Sequence, residues 1–164
     1  MNMIKQIFCI VILMTLTSCF QTDKLNESEK QLIISDVIEM FRNYHNDIRK
    51  EGLTAEFKYL DQSTDFFWVP PGYKSTLSYD SVRNILEVNA KSFQAIEINW
   101  DTLQVFPLSN TIANYSGIVK GSMTDTSGII SSVLIIESGT VIKRSDGWKL
   151  LSGQSAILNP EPEK

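Results

Sequence analysis

The sequence predicts an α+β domain: three N-terminal helices packed on a strongly curved antiparallel sheet. Three observations carry this. Apolar residues recur at helical spacing only in the first half of the chain. After Phe93 a two-residue alternation takes over and runs to Leu158. Turn-forming clusters then cut the alternating region into long, hairpin-connected stretches.

Ahead of the domain stands MNMIKQIFCIVILMTLTSC, in which Lys5 is the single charge before an apolar run from Ile7 to Leu16. The run is too short to span a bilayer but suits the core of a signal peptide. Leu16-Thr17-Ser18-Cys19 resembles the bacterial lipobox, which implies cleavage before Cys19 and acylation of its thiol. Two or more acyl chains anchor a protein stably, at about 0.8 kcal/mol per buried methylene. The expected organisation is a signal peptide over 1–18, a lipidated tether over 19–26, a folded domain over 27–158 and a tail over 159–164. The tether spans at most about 25 Å, so the domain is expected at the surface of a bacterial cell-envelope membrane, inner or outer. With Cys9 lost and Cys19 acylated, no cysteine is left for a disulfide, a nucleophile or a thiolate metal site.

Charge narrows the partners. The net charge is −4, lysine and arginine are scattered, and loss of Lys5 makes the mature chain one charge more negative. Nucleic acid binding needs clustered cations, so it is not expected. A metal site has no support either, because His45 is the only histidine and the aspartates are too dispersed for a calcium loop. No cofactor is expected.

The domain opens at Asn26, which with Glu29 forms a capping-box pattern. Ile34, Val37, Phe41, Tyr44 and Ile48 then form one stripe, and Gly52 ends the helix. A short second helix over about 54–60 points Phe57 and Leu60 inward. Phe66, Phe67, Trp68 and Val69 read as a strand stopped by Pro70-Pro71-Gly72, and a brief extended stretch near 74–77 follows. Ser78 caps a third helix whose inner side is expected to carry Val82, Ile85, Leu86, Asn89 and Phe93. Alternation through Ile96, Ile98 and Trp100 changes parity near Asp101-Thr102, which predicts a bulge. Three further strands are expected, about 111–123, 129–143 and 148–158, the last two joined by a tight turn at Ser145-Asp146-Gly147.

The element order, the Pro-Pro-Gly break and the hairpin TVIKRSDGWKLL together resemble the nuclear transport factor 2-like superfamily, most of all its SnoaL-like and ketosteroid-isomerase-like branches. The resemblance implies a cone-shaped pocket for a small molecule and often a homodimer across the outer face of the sheet. In isomerase-like members the general base is an Asp just before the Pro-x-Gly break; Val69 stands there and cannot take a proton. Many relatives carry a His six residues after the hairpin Trp; Gln154 stands there and does not titrate.

On this basis the expected function is non-catalytic binding of an apolar or amphipathic molecule by an anchored lipoprotein. Tyr44, Trp68, Asn89, Trp100, Tyr115 and Gln154 are the pocket candidates, each of which also reads as an ordinary core or surface residue. The alternatives are a lyase or isomerase using Glu137 or His45 with Tyr44, and a partner-binding module with a plugged cone. Glu137 interrupts an apolar strand, and exposure on the outer face is its leading reading; turned inward it becomes the best acid–base candidate.

Overall fold

In the computed structural model, which describes residues 24–158, helix α1 (Glu27–Glu51) comes first and a 3-10 segment (Leu53–Lys58) follows. Next come strand β1 (Phe67–Val69) and helix α2 (Tyr79–Asn89). Four long strands complete the chain: β2 (Phe93–Ser109), β3 (Ile112–Asp125), β4 (Ile130–Arg144) and β5 (Gly147–Ile157). They form one sheet in the order β1-β5-β4-β3-β2, antiparallel except for the short β1–β5 pairing.

Local chemistry explains the boundaries. Asn26 accepts the Glu29 N–H at 2.9 Å and Glu29 returns a carboxylate to the Asn26 N–H at 2.8 Å, closing a reciprocal cap. Glu27 and Glu29 in the first turn and Arg49 and Lys50 in the last complement the helix dipole. Ser78 caps α2 by accepting the Ser81 N–H. The Asp146-Gly147 turn needs a left-handed residue, and Gly147 supplies φ 118°.

Three details differ from the sequence expectation. The second helix is a 3-10 segment of six residues. The stretch before α2 contributes only one bridge, Leu77 to Trp68. Finally, α2 stops at Asn89, so Phe93 opens β2 and is not on the helix. The expected bulge is present, as a register shift between Trp100 and Thr102.

The helices cover one face of the sheet. Val37, Phe41, Val105, Ala113, Tyr115, Val141, Trp148 and Leu150 form the core between them. The other face carries exposed Phe67, Phe106, Leu108, Ile130 and Ile136. Among the described residues no helix is long and apolar enough to cross a membrane; the proposed signal peptide and tail lie outside these residues.

One ion pair ties the loop before β1 to the last hairpin. Asp61, 4% exposed, accepts from Arg144 Nε at 2.6 Å and Nη2 at 3.1 Å, and from the Ser63 N–H at 3.0 Å. The Arg144 bond holds its carboxyl down to about 2. Asp61→Ala is expected to cost about 2 kcal/mol in urea denaturation at neutral pH, the scale of lost hydrogen bonds to a charged group.

Candidate functional site

Burial along the inner face of the sheet locates a recess. At one end Val105, Ala113, Tyr115, Val141 and Leu150 are all buried. Toward the other end the inward positions loosen: Ile98, Met123, Val133, Ile135 and Ser155 are half-buried, and Ile157 is 55% exposed. Ile96 and Val119 stay buried at that end, so the inner face loosens chiefly toward β4 and β5. Tyr44 of α1, Leu53 of the 3-10 segment, and Phe93, Ile98 and Met123 of the sheet pack around Ile48, Ala55 and Ile96 as a second, smaller apolar cluster.

Glu137 stands where the packed end gives way to the looser one. Its neighbours across the sheet are Gly117 on β3 and Ser155 on β5, both small, so neither side chain covers the carboxyl. The Tyr115 hydroxyl donates to Glu137 Oε1 at 2.8 Å. Glu56 enters from the 3-10 segment, opposite the sheet, with the Tyr44 hydroxyl facing it. The two carboxyls are half-buried.

Their electrostatics follow. Burial pushes Glu137 up to about 7, against the opposing hydrogen bond from Tyr115. Burial and then the charge of Glu137 push Glu56 to about 7, with Tyr44 opposing. Both carboxyls are therefore placed to hold a proton well above the ordinary carboxylate range. Burial and the same carboxyls raise both tyrosines well above the usual range. Chemically, the cluster offers two carboxyls able to hold or release a proton near neutral pH, and two neutral phenols.

The sequence-derived candidates divide. Tyr44 and Tyr115 meet at this cluster. Trp100 lies beside it, edge-on to Phe41 at 5.1 Å and to Tyr115 at 6.0 Å. Trp68 packs into the core over Gly153, where a Cβ would lie 2.5 Å from its ring. Gln154 needs correcting. Leu150 pairs with Val141 but Ser152 pairs with Thr140, so Leu151 is an extra residue on β5. The bulge reverses parity, turning Gly153 and Ser155 inward and leaving Gln154 exposed on the outer face. Asn89 also needs correcting: it is exposed at the last position of α2 and does not face the recess.

Glu137, whose leading sequence reading was exposure, is on the inner face because it shares parity with Val141 and Gly139. His45, read as a border residue, is 6% exposed and stacks on Trp100 at 5.7 Å and 29°. Burial and the Arg49 charge lower it to about 4. Cys19 lies outside the described residues. Glu56 escaped notice. Its signal was a period of three: a 3-10 turn stacks residues i and i+3, and Leu53 and Tyr59 flank Glu56 at that spacing, both half-buried. Among the described residues no group of three or more His, Cys, Asp or Glu side chains is placed to hold a metal ion.

Comparison with known proteins completes the picture. No family model matches the chain, and no curated protein matches it in sequence. Solved structures do. A nuclear transport factor 2-like superfamily protein from Salmonella enterica serovar Typhimurium is 15% identical with a TM-score of 0.64, over 82% of this chain and 94% of that one. The hexachlorocyclohexane dehydrochlorinase LinA-type3 of Novosphingobium barchaimii is 10% identical with a TM-score of 0.64, over 82% and 92%. At these identities the likeness concerns architecture, and the architecture is that of the nuclear transport factor 2-like cone.

Proposed function

We propose that the looser end of the cone binds a small apolar or amphipathic molecule, and that Glu137 and Glu56 act on it as proton acceptor and donor in a reaction of the isomerase or lyase class. The observation behind this reading is the half-buried carboxyl pair. No basic side chain among the described residues compensates the two carboxyls, and such groups are expensive to bury for structure alone. Glu137, bonded to Tyr115, carries the negative charge and takes the proton. Glu56 returns one to the departing or rearranging group, and the Tyr44 hydroxyl is placed to donate a hydrogen bond to an oxygen that gains charge. A solved neighbour of this fold bears the name of a hexachlorocyclohexane dehydrochlorinase.

Binding without chemistry is the second reading, favoured by Val69, which stands at the base position of the isomerase-like relatives. Under either reading the domain belongs to a lipoprotein anchored through Cys19 in a bacterial cell envelope. A homodimer across the exposed apolar outer face of the sheet accompanies it, as sedimentation of the delipidated domain would test.

One experiment separates the two readings. The protein is taken from its own cells and the retained molecule is identified by native mass spectrometry. Exchange of that molecule's carbon-bound hydrogen is then followed in D2O. Acid–base work predicts exchange that falls about 100-fold or more in Glu137→Gln, the scale of a lost general base, while binding persists. Retention without exchange in the wild-type protein leaves only the binding reading.

A further inference from the structure

A second cleft, of about 270 Å3, opens between α1 and the edge strand β2. It is distinct from the Glu137 cluster: His45 lines it and stacks on one face of Trp100, while Trp100 meets Tyr115 edge-on. Its polar lining has one chemical character. Arg49 donates to Asn46 Oδ1 at 3.0 Å and to Asn99 Oδ1 at 3.0 Å. With both amide oxygens engaged, each asparagine has its NH2 group left to offer. Arg42 lines the same cleft, is exposed, and makes no ion pair among the described residues. The acidic groups nearby on β2 are already taken, Glu97 by Arg49 and Asp101 by Lys120.

Trp100, with His45 beside it, supplies the independent sign of a ligand. His45 is 6% exposed, lines the cleft and stacks on the Trp100 ring. The Trp100 indole N–H is buried without a hydrogen-bond partner among the described residues, a condition that costs about 1–3 kcal/mol, and Trp100 lines this same cleft. The remaining wall is apolar, from Ile38 and Leu103 with the Trp100 ring.

We propose that this cleft is a ligand site for a compact oxyanion, a carboxylate or a phosphate monoester, carried on a body about one ring in size. The Arg42 guanidinium meets the charge, the amide NH2 groups of Asn46 and Asn99 and the His45 N–H complete its hydrogen bonding, and the body rests on Ile38, Leu103 and Trp100. The site is independent of the reading given to Glu56 and Glu137.

The test uses the full-length labelled chain in detergent, titrated separately with benzoate, phenyl phosphate and the neutral isostere benzamide. NMR should show saturable shifts at His45, Asn99 and the Trp100 indole N–H at roughly millimolar concentration with at least one of the two anions, and none with benzamide. The anion that binds identifies the source of the oxyanion. Arg42→Ala, an exposed position expected to leave the unfolding midpoint unchanged, should weaken binding about tenfold. Equal shifts with benzamide, no saturable shift with either anion, or unchanged affinity in the Arg42 variant would each overturn the site.

Discussion

Phe41→Ala is expected to cost about 3–5 kcal/mol in folding free energy, the range for deleting a buried aromatic ring. Phe41 is fully buried in the packed half of the cone. Its ring meets Trp100 edge-on at 5.1 Å and lies tilted against Tyr115 at 4.6 Å, contacts that add to the plain burial of area. A domain of this kind has about 5–15 kcal/mol of stability in all, so the variant should be marginal at 25 °C. The urea midpoint should fall with little change in slope. Phe41→Leu, which keeps most of the volume, should cost about 1.5 kcal/mol or less. The effect reaches the recess as well. Tyr115 is held against Phe41 and donates to Glu137, so loosening the ring should loosen that bond. A loss below about 1 kcal/mol would mean that Phe41 is not at the centre of the core.

The core was legible in the sequence because it follows periodicity. Val37, Phe41 and Ile48 recur at helical spacing, and the bulge at Trp100–Thr102 announced itself as a break in alternation. The recess was harder to read, for two physical reasons. A second bulge, at Leu151, lies in a run with no break in apolar pattern, since Leu150 and Leu151 are both apolar; Gln154 was therefore assigned to the wrong face. Glu56 belongs to a 3-10 turn, and a period of three is hard to distinguish from an α-helical one within six residues. The expectation of binding without catalysis rests on Val69 and Gln154 together with an outward Glu137. Parity along β4 turns Glu137 inward and the 3-10 turn brings in Glu56, so the interior holds two such groups.

Those groups dictate an unusual pH dependence of stability, which the double variant Glu56→Gln/Glu137→Gln should reverse in sign. Both carboxyls are raised from the ordinary value near 4.5 to about 7 by burial. Between those limits the folded chain keeps protons that the unfolded chain releases, so their contribution is present at low pH and is lost as pH rises toward 7. His45 works the other way. Lowered from 6.5 to about 4, it stays neutral in the folded state while the unfolded imidazole protonates, so its contribution grows as pH rises from about 4 to 6.5. Two carboxyls outweigh one imidazole. Wild-type stability should therefore fall between pH 5 and 6.5 by on the order of 1 kcal/mol per pH unit. In the double variant only His45 remains of the three, and stability should rise over the same interval by a similar amount. At pH 8 the variant should be the more stable protein by on the order of 3 kcal/mol, because an amide carries no charge to desolvate. Tyr115→Phe removes the bond that favours ionised Glu137 and should steepen the wild-type fall. Urea denaturation from pH 4.5 to 8 measures all three chains. Parallel profiles for wild type and the double variant would show that the carboxyls are solvated as freely in the folded chain as in the unfolded one, and neither would then be poised to hold or pass a proton at neutral pH.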